Sequence, residues 1–111
     1  MQPSDLVDHP RFRLPTLRGK NIFCRDFFNT QPFKKARFHW IAGNPPWKQL
    51  KTATLEKRDE RAMKWMLDPK ADHPVGKYAL AQAFAWRCRE FLHRDGVCAL
   101  LLPAMTLFED S

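Results

Sequence analysis

Glycine is scarce in this chain: four residues of 111, at Gly19, Gly43, Gly76 and Gly96. They lie far apart, so no glycine-rich loop of the kind that cradles phosphate is encoded. Cysteine is scarcer still. Cys24, Cys88 and Cys98 are odd in number and form no CxxC pair, and His9, His39, His73 and His93 show no ligand spacing. That argues against a disulfide framework or a zinc site. The cysteines read instead as reduced core residues of a cytoplasmic protein. No apolar run approaches the ~18 residues of a membrane span. Met1 to Asp5 has neither the basic nor the apolar region of a signal peptide. Repeats and low-complexity stretches are absent too.

What the chain does contain is apolar and basic material. Hydrophobic residues make up 44% and aromatics 13%, enough for a core and too much for a disordered chain. The length suits one small domain or part of a larger one. The net charge of +7 favours an anionic partner, of which nucleic acid is the usual one.

Residues 1–20 are polar and punctuated by Pro3, Pro10 and Pro15, and read as an irregular arm. Asn21-Ile22-Phe23-Cys24 is a short strand candidate, followed directly by Asp26-Phe27-Phe28. Residues 29–37 form a basic connection. Phe38 to Ala42 is the second strand candidate. The spacing of Leu55, Met63, Trp65 and Met66 predicts a helix over 53–67, with Glu56 to Arg61 on a solvated face. Residues 70–77 read as a loop. Leu80, Phe84, Cys88, Phe91 and Leu92 recur at three and four, predicting a helix from Tyr78 to about His93 with one buried stripe and Gly96 as its stop. Arg87, Arg89 and Glu90 fall mainly off that stripe. Val97 to Leu102 is unbroken apolar sequence, as in a parallel strand covered on both faces. The order strand, strand, helix, helix, strand predicts an α/β sheet.

In such sheets ligands bind beyond the carboxyl ends of the strands. Asp26 stands at the first such end, Asn44-Pro45-Pro46-Trp47 at the second and Pro103 at the third. Asn44 offers one acceptor and two donors. Pro45 and Pro46 fix φ near about −65° and remove two backbone N–H groups, and Pro45 pushes Asn44 toward an extended conformation. The outcome is a stiff turn whose carbonyls have no neighbouring donors. Trp47 adds a flat aromatic face. Acceptors beside a stacking platform suit a planar base that carries an amino group. Alternatively, Trp47 could cap the sheet, Asp26 could cap a turn, and Lys34, Lys35 and Lys48 could be plain surface charges and not phosphate contacts.

The tetrapeptide looks like the Asn/Asp/Ser-Pro-Pro-aromatic motif of amino-methyltransferases. From about Gly19 to Ser111 the order and spacing of Arg25-Asp26-Phe27-Phe28, of Phe38 to Gly43, of Tyr78 to Phe84 and of Asp95 through Ala104 resemble the central part of adenine-specific DNA N6-methyltransferases. The large methylases of restriction–modification systems are the nearest likeness. The resemblance implies a fragment of a Rossmann-like class I methyltransferase sheet with flanking helices, spanning 21–111 with a charged insertion at about 48–76. It implies S-adenosyl-L-methionine as cofactor and double-stranded DNA with a flipped adenine as partner. Asn44 and the Pro45 carbonyl would accept hydrogen bonds from the target amino group, Pro46 would hold the turn and Trp47 would stack on the base. Asp26 would bond the cofactor's adenine amino group, and Phe27 would lie against that ring.

The sequence departs from this family at the missing glycine-rich loop, at a second acidic residue for the ribose, and at later strands and a target-recognition domain. A chain truncated at both ends is implied. Within it only the strands at 38–42 and 97–102 should pair, and the strand at 21–24 should expose unpaired edges, leaving marginal stability. The same turn would serve adenine in RNA or a protein glutamine. An inactive nucleic-acid-binding remnant is the further alternative.

Overall fold

The structure, a computed structural model, describes residues 14–29, 33 and 35–108. Residues 1–13 of the expected arm, Lys34 of the expected phosphate contacts, and residues 109–111 lie outside the described residues.

Two strands make a parallel sheet: β1, Phe38–Gly43, and β2, Leu92–Leu100. Between them run two helices, α1 over Glu60–Met66 and α2 over Leu80–Arg89. Single 3-10 turns occur at Thr52–Thr54, Lys57–Asp59, Gly76–Tyr78 and Ala104–Leu107. The fold is thus a small mixed α/β arrangement, and the two apolar runs expected to pair do so. Trp40 lies opposite Val97, Ile41 opposite Cys98, Ala42 opposite Ala99 and Gly43 opposite Leu100. Aromatic and β-branched residues suit β1 to a pleated sheet. The alanine-rich Leu80–Arg89 segment suits a helix.

Several boundaries differ from the sequence reading, each for a physical reason. Residues 21–24 are not a strand. Leu17 O accepts the N–H groups of Lys20, Asn21 and Ile22, and Gly19 N–H bonds Ile22 O at 2.9 Å, so the segment closes a tight turn with Gly19 at φ 77°. Helix α2 ends at Arg89 and not near His93, because the Phe91 carbonyl is taken by the Phe38 N–H at 2.7 Å. Gly96 is therefore no helix stop but lies inside β2. There the register slips: two residues of β1, Phe38 to Trp40, advance against five of β2, Leu92 to Val97. A Cβ on Gly96 would meet Phe38 O at 2.8 Å and His93 O at 2.9 Å, so only glycine fits the bulge.

The expected helix over 53–67 is broken at its start. Leu55 and Glu56 are extended, at ψ 124° and 146°, and only Glu60–Met66 is α-helical. Thr52 and Thr54 are weak helix formers, and the break turns Leu55 against the core. That core consists of Leu50, Ala62, Met63 and Leu80, with Phe28, Leu55, Met66 and Phe84 packed on it. Each large side chain so buried contributes about 1.5–3 kcal/mol. Asp59 does not belong to a solvated face; it is 7% exposed and takes the Lys48 ammonium at 2.5 Å. Among the described residues the sheet is covered on one face only. Trp40 and Val97, opposite each other in register, are 77% and 48% exposed. Of the cysteines only Cys88 is buried, while Cys24 and Cys98 are exposed. No helix among the described residues is long and apolar enough to cross a membrane.

Candidate functional site

Chain direction in the parallel pair puts the ends of β1 and β2 side by side. The Leu101 N–H donates to Gly43 O at 3.0 Å, extending the ladder one step past β2. Asn44, Pro45 and Pro46 follow at that edge. Pro45 is buried, while Asn44 and Pro46 are exposed. Among the described residues neither the Asn44 side chain nor the carbonyls of Asn44, Pro45 and Pro46 engage in a hydrogen bond. The turn thus holds acceptors that no N–H of its own neighbourhood satisfies. Its downstream side is anchored: Leu50 N–H bonds Tyr78 O at 3.0 Å and Leu80 N–H bonds Lys48 O at 2.8 Å.

Beneath the turn lies a cavity of about 240 Å³. Asn44, Pro45 and Pro46 form one side, Ile41 and Leu100 the sheet floor, and Phe27, Phe84 and Cys88 the opposite wall. The Phe27 ring stacks on Phe84 with centroids 4.8 Å apart and planes 15° apart, and sits 5.8 Å from Phe91. Of the six residues singled out from sequence, four therefore line one cavity: Phe27, Asn44, Pro45 and Pro46. Among the described residues no charged side chain lines it.

Trp47 and Asp26 lie elsewhere. Trp47 is 56% exposed and lines a separate depression of about 220 Å³ with Lys48, Pro103 and Thr106. Its indole Nε1–H donates to Leu101 O at 3.0 Å, which fixes the ring against the chain leaving β2. Asp26 caps its own turn: Oδ1 accepts the Phe28 N–H at 2.9 Å, and its main-chain carbonyl accepts from Asn29 at 3.0 Å. Its Oδ2 stands 4.0 Å from Arg61 Nη1. The Lys48 ammonium pairs with Asp59 Oδ2 at 2.5 Å.

Two residues escape the sequence reading. Arg87, expected off the apolar stripe, is 3% exposed. Its Nε donates to the Phe27 carbonyl at 3.3 Å, its Nη1 pairs with Glu90, and its guanidinium lies 4.8 Å from the Phe91 ring centre. It therefore ties α2 to the segment that supplies the cavity's aromatic wall. A signal for this exists in the sequence: Leu80, Phe84, Arg87 and Phe91 are spaced four, three and four, which places Arg87 on the stripe. Cys88, expected as a core residue only, lines the cavity itself. Burial pushes its thiol from 9.0 up to about 12, and Cys98 beside it adds to the shift. It is a protonated, unreactive thiol at neutral pH.

Comparison with family models, with curated proteins and with solved structures finds no match to the chain. Among the described residues no group of three or more His, Cys, Asp or Glu side chains could hold a metal ion. The chemistry on offer is thus an apolar, aromatic-walled recess with an amide and proline carbonyls at its rim.

Proposed function

We propose that this chain carries the base-binding part of an S-adenosylmethionine-dependent DNA adenine N6-methyltransferase, within a Rossmann-like class I sheet. One observation carries the proposal. The Asn44–Pro46 turn, at the carboxyl end of β1, presents acceptors without donors over a cavity walled by Phe27.

In this reading Asn44 Oδ1 and the Pro45 carbonyl accept hydrogens from the adenine amino group. As that nitrogen attacks, it gains positive, tetrahedral character, and fixed acceptors stabilise the change without reorganising. The two prolines supply that rigidity, so positioning and preorganised electrostatics account for most of the rate. Trp47, held by Leu101 on the outer side of the turn, is the stacking surface for a base that has left the duplex. The positive net charge suits double-stranded DNA as the partner.

S-adenosylmethionine supplies the methyl group. The cavity fits one planar ring: Phe27 and Phe84 offer an aromatic wall, and the volume of about 240 Å³ lies below the ~300–1,000 Å³ of sites that enclose a whole small molecule. Ribose hydroxyls and an amino-acid end would find no charged partner there. The lining therefore suits the purine of such a cofactor but not its remainder. Asp26 lies outside this cavity, with Oδ1 used in the turn and Oδ2 4.0 Å from Arg61, so its role on the purine's amino group rests on the resemblance alone.

Methyl transfer from labelled S-adenosylmethionine tests the reading, using the protein that carries this sequence with separate DNA, RNA and protein pools. The expected product is N6-methyladenine in DNA, lost by about a hundredfold or more in Asn44→Ala, as when one transition-state hydrogen-bonding group is removed. Undiminished adenine methylation in Asn44→Ala would overturn it. Label in RNA or in glutamine would reassign the substrate.

A further inference from the structure

A larger cavity lies away from the Asn44 turn. It is a cleft of about 640 Å³ between α1 and the turn at Asp26–Phe28, within the range of sites that bind small ligands. Trp65 and Phe28 form its aromatic wall, Leu67 and Pro69 add apolar surface, and Arg61 and Lys64 stand at its mouth.

Three features distinguish this cleft from an ordinary solvated helix face. First, the indole is held in place before any ligand arrives. The His73 imidazole stacks on it at 3.6 Å with planes 9° apart, Nε1–H donates to Glu90 Oε1 at 3.3 Å, and Phe28 lies 5.3 Å away. A ring fixed in this way loses little freedom on binding. Second, Arg61 and Lys64 are three residues apart on α1 and so point to the same side. Third, cations outnumber carboxylates in the lining. Arg61 and Lys64 stand against Asp68, and Asp26, outside the lining, is 4.0 Å from Arg61. The lining thus carries one net positive charge beside an aromatic wall.

We propose that this cleft binds one nucleotide of a single-stranded nucleic acid, with its base against Trp65 and Phe28 and its phosphate between Arg61 and Lys64. A fixed aromatic wall matches a base, since every base has a π-face. Paired cations on a chain of charge +7 match a phosphodiester. The inference stands apart from the methyltransferase reading, because it uses no residue of the Asn44 cavity.

The test is fluorescence anisotropy of the full chain with a labelled oligothymidylate of about twelve nucleotides, a probe without adenine. Replacing Arg61 and Lys64 together by glutamine should weaken binding by about tenfold or more. It should also flatten the slope of log affinity against log salt by about 0.7, for the one phosphate no longer neutralised. Replacing the exposed pair Lys51 and Lys57 by glutamine removes the same charge elsewhere and should cost much less. Equal losses from the two pairs would overturn the site. So would equal binding of polyglutamate, or displacement by thymidine monophosphate as effectively as by the strand, which would make the ligand a free nucleotide. Should the Arg61/Lys64 variant fail to fold, photocrosslinking of the unaltered chain to a bromouracil-substituted strand decides. Crosslinks at Trp65 or Phe28 are expected, and crosslinks confined to other regions overturn the proposal.

Discussion

The indole of Trp47 donates its N–H to the carbonyl of Leu101, fifty-four positions along the chain, at 3.0 Å. This bond joins the turn after β1 to the segment leaving β2. It fixes the orientation of a ring that is otherwise more than half exposed. Trp47→Phe keeps an aromatic face and removes the donor. A loss of about 0.5–1.5 kcal/mol is expected, as for one neutral hydrogen bond. Thermal unfolding of the two chains side by side measures it, and an unchanged midpoint would show that the bond contributes nothing.

Gly96→Ala should cost more. The added methyl would lie 2.8 and 2.9 Å from two backbone oxygens, Phe38 O and His93 O, and neither can move without shifting the ladder. Overpacking of this kind costs about 1–3 kcal/mol. Amide exchange across Phe38–Gly43 should accelerate together with a lower unfolding midpoint.

Lys77 and Tyr78 adopt left-handed conformations, at φ 48° and 54°. Such a backbone costs a residue with a Cβ about 1–2 kcal/mol. Lys77 is exposed, so Lys77→Gly removes strain without removing packing. A gain of about 0.5–1 kcal/mol is expected after the entropy of glycine is subtracted. Chemical denaturation should show a higher midpoint at an unchanged slope.

Cys88 gives a pH dependence. Its thiol is raised from 9.0 to about 12 in the folded chain, first by burial and then by Cys98. The folded state therefore keeps a proton that the unfolded state releases above pH 9. Between pH 9 and 12 the unfolded chain binds fewer protons, so stability falls as pH rises through that window. Cys88→Ala should flatten the fall. In alkylation at pH 8, exposed Cys24 should react readily and Cys88 only after unfolding.

The parallel pairing is legible in the sequence because two apolar runs of strand composition, Phe38 to Ala42 and Val97 to Leu102, flank the helical segments, although Trp40 and Val97 stay exposed. The cavity is legible in its residues but not in its grouping. Phe27 and Asn44–Pro46 meet, whereas Trp47, adjacent to Pro46 in sequence, is drawn to Leu101 on another side of the turn. The segment 21–24 has strand composition yet folds as a turn, because a strand exists only with a partner, and Leu17 O captures its N–H groups locally. Arg87 is half legible: Glu90 and Phe91 lie three and four residues on, within reach along the chain, whereas the Phe27 carbonyl sixty positions away reaches it only through the fold. Asp59 likewise looks like one charge in a solvated run until the fold brings Lys48 within 2.5 Å.

The parallel ladder between β1 and β2 also has a kinetic consequence. Every rung closes a loop of more than fifty residues, from Phe38 and Leu92 to Gly43 and Leu100. Pairings this distant in sequence form late, because the entropy of loop closure precedes any reward. The Asn44 turn therefore gains its support only once the chain through Leu100 is free to pair. The seven-residue α1 and ten-residue α2 are too short to persist alone in water, so they too depend on that late packing.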